Sequence, residues 1–497
     1  MKISIKTIED IKGSDNIRGI LCFNNYCDSI GVLKNESLID TLKLMHDAKI
    51  FVGNKGEVDK FSYVDDGVLN HTILIGLGDK NKFDNTTLRM GIAKIIKTAV
   101  NQNLECIDIY LLDKELDYDY DMIKAISETI IMTPYVFDKY KSCKKVNRLR
   151  EVGIIFNSDP YNNIFNEAIN EGKILGEGNL IARELVNEPS NNMTPEILAS
   201  KAKEIGSLYN FEVEVFEKGN IEDLEMNAFL SVGSGSANNP KLIVMRYFGD
   251  SENKEDILGI VGKGITFDAG GYCLKTAGHM WEMKSDMGGA GALIGAMSAI
   301  ARMKLKKNVI GVIAACENLI SGDAYKPGDI IDTMNGKTIE IINTDAEGRL
   351  TLVDAMTYII RKENAKKVID IATLTGAVGG AIGNVATGVV DNSDEFYMQL
   401  NEASKKCDEK VWRFPTFEEY KELLYSGNAD LVNSTGPVGA GAITAGLFIG
   451  EFVEEKPWIH LDIAAGAFTS KPKKEYLSKG ATGVGTRLLY DIVKKLI

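Results

Sequence analysis

Along roughly the first 160 residues, short apolar runs alternate with amphipathic stretches. Residues 73–78 (ILIGLG) and 106–112 (CIDIYLL) have the continuous apolar text of buried strands. Between them the apolar positions of 88–100 recur at helical spacing. Strand, helix and strand in that order predict a βαβ unit and hence a small α/β domain. A long helical stretch over 163–186 follows, closed by the breakers Asn187-Glu188-Pro189-Ser190-Asn191-Asn192. Thr194 then supplies an N-cap and Pro195 a first helical position for the next helix. Beyond it the pattern predicts strands at 211–216, 241–248, 257–267, 308–315, 367–372 and 458–463. Helices are predicted over 288–303, 348–363, 393–408 and 441–454. The chain thus divides into a smaller N-terminal α/β domain, 1–162, and a larger C-terminal α/β domain, 163–497. The larger one has a mostly parallel central sheet, whose ligands sit beyond the carboxyl ends of the strands.

A length of 497 residues agrees with two domains. Apolar residues at 44% and charged residues at 26% are ordinary for a soluble protein. With 57 basic against 70 acidic side chains the net charge is -13, which argues against a broad nucleic-acid surface. The first ten residues are charged throughout and do not read as a secretory signal. The uncharged run between Asp370 and Asp391 is long enough to span a membrane, but its five glycines and three threonines read as close-packed backbone instead. Seven scattered cysteines without a Cys-x-x-Cys pair read as reduced thiols in a cytosolic protein. No two of the four histidines have zinc-ligand spacing, so any metal is held mainly by oxygen.

Two segments concentrate polar groups among glycines. One runs from Gly262-Lys263-Gly264 through Asp268 and Lys275 to Asp286; the other is Asn343-Thr344-Asp345-Ala346-Glu347-Gly348-Arg349-Leu350. Asp345 and Glu347 are two apart, so an extended backbone would aim both to one side. Four carboxylates and two lysines in one place leave an excess of negative charge that divalent cations would neutralise. Taken singly, each acid is more often a cap or a surface charge than a ligand. Walker A fails, because no glycine stands five residues before Gly262 and Gly264 replaces the Ser/Thr. No Gly-x-Ser-x-Gly elbow occurs.

The octapeptide NTDAEGRL, with Val-Gly-Lys-Gly-Ile-Thr-Phe-Asp upstream, resembles the leucyl aminopeptidase (cytosol aminopeptidase) family of metallopeptidases. The resemblance extends over about residues 165–497, through Cys316-Glu317-Asn318, Tyr325-Lys326-Pro327-Gly328-Asp329 and His460-Leu461-Asp462. It implies one divalent ion on Lys263, Asp268, Asp286 and Glu347 and a second on Asp268, Asp345 and Glu347, either Mn2+ or Zn2+. It also implies catalytic roles for Lys275 and Arg349, with a bicarbonate beside Arg349. Met283, Thr373 and Gly376 match the lining of the pocket for the first side chain, where a Leu-like residue is preferred. Departures are Ala269 for the usual serine, Trp281-Glu282 for an aspartate, and Gly436-Pro437-Val438 without an arginine.

The implied activity is a cytosolic two-metal aminopeptidase acting on peptide substrates, without membrane or nucleic-acid partners, assembled as a homohexamer. Paired ions lower the pKa of a shared water to about 7. A ligating Lys263 must be neutral, which an adjacent dication favours; without the family, its first reading is a salt bridge to Asp268. Arg349 stays protonated and cannot act as a base. Two other readings compete. A two-metal phosphoesterase would usually add histidines to the motifs. A non-enzymatic scaffold or nucleic-acid-binding protein that kept the fold should have lost ligands.

Overall fold

The computed structural model describes residues 1–7, 18–33, 35–65, 67–113, 118–157 and 163–497. Residue 162, the end of the first domain as read from the sequence, lies outside them. Contacts divide the chain into two units. The first comprises Met1–Glu177 and Lys471–Ser478; the second comprises Gly178–Ser470 and Lys479–Ile497. The long helix Asn163–Asn187 therefore crosses the division, and a short segment near the C-terminus belongs to the first unit.

The first unit is built on β1 (Lys2–Thr7), β2 (Arg18–Phe23), β3 (Val58–Asp65), β4 (Val68–Gly78), β5 (Cys106–Leu112) and β6 (Glu151–Phe156). They form one sheet in the order β1-β6-β5-β2-β4-β3, parallel throughout except at the β3–β4 edge. Apolar faces of the helices Asn85–Asn101 and Tyr120–Met132 (Ile92, Ile96, Ile123, Ile130) cover one side of the sheet. Helix Glu36–Asp47 covers the other through Leu38 and Leu42. Burial of both faces explains why the strands read as continuous apolar runs rather than as alternation.

The second unit contains β7 (Glu212–Phe216), β8 (Lys241–Phe248), β9 (Ile257–Asp268), β10 (Asn308–Asn318), β11 (Ile330–Asp332), β12 (Thr338–Glu340), β13 (Lys367–Ala372), β14 (Thr387–Asp391), β15 (Val411–Arg413), β16 (Leu431–Val432) and β17 (Trp458–Asp462). Eight of them form the main sheet, β15-β14-β17-β13-β9-β10-β8-β7, and β11, β12 and β16 form a small separate one. The centre of the main sheet is parallel, with antiparallel pairs at β8–β10, β7–β8 and β14–β17. Helices Gly288–Arg302 and Gly348–Arg361 are buried almost all round, and the first of them is predominantly apolar. The N-cap expected at Thr194 is formed: its hydroxyl accepts from the Ile197 N–H ahead of Pro195.

The uncharged run of 370–391 is cut into strand β13, helix Gly376–Ile382 and strand β14. No helix among the described residues is long and apolar enough to cross a membrane. All seven cysteines are free thiols.

Candidate metal centre

Parallel pairing brings four strand ends to one edge of the main sheet. β10, β9, β13 and β17 lie side by side, each parallel to the next, ending at Asn318, Asp268, Ala372 and Asp462. Opposite Cys316 and Glu317 the β9–β10 register slips by one residue, which sets Asn318 directly across from Asp268. Past Asp268 the chain reverses through Gly270 and Gly271, whose φ values of +89° and +59° suit glycine. That turn returns Lys275, whose N–H donates to the Ala269 carbonyl at 2.9 Å. Asp286 follows the short turn Met283–Ser285, just before the buried helix Gly288–Arg302.

The NTDAEGRL segment differs from the extended backbone that the spacing of its acids suggests. Asn343 to Ala346 is a turn, closed by the Ala346 N–H on the Asn343 carbonyl and by Asp345 N–H on the Asn343 side chain. Glu347 already has helical backbone and caps Gly348–Arg361. Asn side chains favour such turns because they hydrogen-bond the backbone two residues on. The two acids consequently face different lysines.

Lys263, 3% exposed, sets its Nζ 2.7 Å from Asp286, 2.8 Å from Glu347 Oε1 and 3.0 Å from the Thr373 carbonyl. Lys275 pairs with Asp268 at 2.7 Å and Asp345 at 2.5 Å. Lys263 thus bridges Asp286 and Glu347 rather than forming the Asp268 pair read as its simplest role. Gly348 makes this possible: a Cβ there would lie 2.2 Å from Lys263 Cε. Thr373 Oγ1 also donates to Asp286 Oδ1 at 2.8 Å.

Burial and the neighbouring Glu347 push the Asp268 carboxyl up to about 7, and burial lifts Asp286 and Asp345 as well. Burial would lower both lysines, but the surrounding carboxylates outweigh it and raise them. For Glu347 burial is outweighed by Lys263 and Lys275, which hold its carboxyl below its usual value.

Oxygens of Asp268, Asp286 and Glu347, all buried, lie within 4.8 Å of one another. Three hard oxygen donors that close, sharing four acidic groups between two ammonium groups, suit a divalent cation. Asp345 reaches this cluster through Lys275. Arg349 is 7% exposed; one terminal nitrogen donates to the Asn433 carbonyl at 2.7 Å, while its Nε is buried without a hydrogen-bond partner. Burial depresses its guanidinium to about 10. An unfilled buried donor on a cation fits a small anion.

Of the three pocket residues, Thr373 bonds directly to the cluster and Met283 lies one turn before Asp286. Gly376 begins the helix Gly376–Ile382, whose N-cap Thr375 is anchored to Asp462 at 2.6 Å. Asn433 had no signal in the sequence, and Asn318 stood there only inside the Cys316-Glu317-Asn318 segment without a role: their partners lie 84 and 50 residues away. No histidine joins the group; His460 is buried against Asp370.

Comparison with known proteins gives the family. The model of the cytosol aminopeptidase family catalytic domain matches residues 180–490, and that of its N-terminal domain matches 32–144. A probable cytosol aminopeptidase of Clostridium perfringens is 48% identical, over 93% of this chain and 94% of its own length. One from Bacillus subtilis is 40% identical over 85% and 84%. The solved bottromycin maturation enzyme BotP in complex with Mn matches with a TM-score of 0.85 at 28% identity, covering 97% of this chain and 100% of that one. With both family models and relatives spanning nearly its whole length, the chain belongs to the cytosol aminopeptidase family of metal-dependent hydrolases.

Proposed function

We propose that the protein is a two-metal aminopeptidase that removes the first residue, Leu-like by preference, from peptides with a free amine. The observation that carries this reading is the buried Asp268–Asp286–Glu347 cluster with a lysine on either side. Lys263, Asp268, Asp286 and Glu347 would hold one divalent ion, and Asp268, Asp345 and Glu347 the other, as Mn2+ or Zn2+. Bound there, the ions supply a water activated near neutral pH and polarisation of the scissile carbonyl.

The chain's own groups do the rest. Lys275, raised by its acidic neighbours, stays an ammonium throughout the neutral range and stabilises the negative charge that develops on the carbonyl oxygen. Lys263 must surrender its proton to become a ligand, giving up its pairs with Asp286 and Glu347 as it does so. Arg349, whose buried Nε has no hydrogen-bond partner, would hold a bicarbonate; that anion would supply a proton acceptor, which the guanidinium itself cannot be. Met283, Thr373 and Gly376 line the place of the first side chain, and the thioether of Met283 adapts to unbranched and branched apolar groups. Cytosolic location and assembly as a homohexamer belong to the same reading and rest on family membership.

The test is hydrolysis of Leu-p-nitroanilide by protein stripped with a chelator and then reloaded with Mn2+ or Zn2+. Activity should vanish on stripping and return on reloading, and N-acetyl-Leu-p-nitroanilide should stay intact under both conditions. Full turnover by verified metal-free protein, or equal cleavage of the acetylated compound, would reject the reading. Absence of turnover in every metal state would favour a non-enzymatic scaffold.

A further inference from the structure

Asn318 is the last residue of β10, fully buried, and its side-chain amide stands between the two segments that carry the acids. Its Nδ2 donates to Asp268 Oδ1 at 2.8 Å and to the Thr344 carbonyl at 3.0 Å. Both neighbours are acceptors only, so the amide must present its NH2 to them. In that orientation its Oδ1 is buried without a partner. A buried, unpaired oxygen destabilises a fold, so the value of this side chain lies in its two donors rather than in its packing.

What those donors hold is specific. Asp268 Oδ1 receives the Gly270 N–H and the Asn318 amide, both at 2.8 Å, while Oδ2 faces Lys275. Two donors on one oxygen fix the plane of the carboxylate. Thr344, the residue before Asp345, is tied by the same amide, by the Tyr325 hydroxyl at 2.8 Å and by its own hydroxyl, which donates to the Gly270 carbonyl at 2.7 Å. A single side chain thereby couples the strand bearing Asp268 to the turn bearing Asp345.

We propose that Asn318 is a positioning residue, which orients Asp268 and joins it to the Asp345 turn so that both acids address the same divalent ion. The inference rests on the two-metal reading above. Hydrogen bonds behind a ligand set its direction and basicity, and losing one typically weakens metal affinity by about 10- to 100-fold.

The test measures Mn2+ binding by equilibrium dialysis and calorimetry on the full chain, together with melting of the metal-free protein. Asn318→Ala removes both donors; Asn318→Ser keeps a small polar group that is too short to reach Asp268. In each folded variant Mn2+ affinity should fall by about 10- to 100-fold. The metal-free melting temperature should change far less. A merely structural residue would do the reverse, lowering the melting temperature while leaving Mn2+ affinity untouched. Wild-type affinity in either folded variant, or failure of both to fold, overturns the proposal. If the unmodified chain binds no Mn2+, the two-metal reading fails first and this inference falls with it.

Discussion

Gly348→Ala should disable the metal centre although it adds only one methyl group. The new Cβ would sit 2.2 Å from Lys263 Cε, 2.6 Å from Nζ and 2.8 Å from Cδ. Carbon atoms rest about 3.5–4.0 Å apart, so the end of the lysine must move by more than about 1 Å. A lysine at a surface would swing away freely. Lys263 is buried, and the shift takes its nitrogen out of hydrogen-bond reach of Asp286, Glu347 and the Thr373 carbonyl, now at 2.7, 2.8 and 3.0 Å. Breaking a buried ion pair costs about 3–5 kcal/mol, whereas alanine for glycine in a helix returns at most about 1 kcal/mol. The loss wins, leaving the metal-free chain roughly 2–4 kcal/mol less stable. Urea unfolding of the metal-free protein reads that difference, and Mn2+ titration reads the displaced ligand as an affinity loss of about 10-fold or more. In a Lys263→Ala background the same change should become neutral or stabilising, because the space is then free. A Gly348→Ala protein with wild-type stability and Mn2+ affinity would refute the reasoning.

Two more outcomes follow from the same geometry. Lys275→Ala should lower kcat by about 100-fold or more while both ions stay bound, whereas Lys263→Ala should lose one ion; metal content and kcat on each variant separate the two roles, and full occupancy in Lys263→Ala would reject its ligation. Metal binding should also release protons in a pH-dependent way. Asp268, held protonated up to about 7 by burial and Glu347, must ionise to ligate, and Lys263, raised by its acidic partners, must deprotonate at any neutral pH. Affinity for Mn2+ should therefore rise with pH through the neutral range, with more protons released per chain at about pH 6 than at about pH 8. Calorimetry in buffers of different ionisation enthalpy counts them, and a release that does not vary with pH would contradict the assignment.

How far the sequence reaches is clear from particular elements. Strands β5, β8 and β13 have the limits that the apolar runs predict, and the cap at Thr194-Pro195 forms as written, because these features depend on neighbours within a turn or two. The residues of the acidic cluster and its lysines could also be picked out, since Lys263, Asp268, Asp286, Asp345 and Glu347 stand in two compact segments. Their partnerships could not. Which lysine meets which acid depends on a turn at Asn343–Ala346 where spacing suggested extended chain, and on a glycine that leaves room for one side chain. Strand β14 was hidden in the uncharged run, because no alternation marks a strand with both faces buried. The return of 471–478 to the first unit has no local mark at all. Asn318 meets Asp268 only because two strands pair in parallel with a one-residue slip. Local periodicity and turn chemistry are written in neighbouring residues; registers, charge pairings and buried hydrogen bonds between distant segments exist only once the sheet order has been chosen by packing.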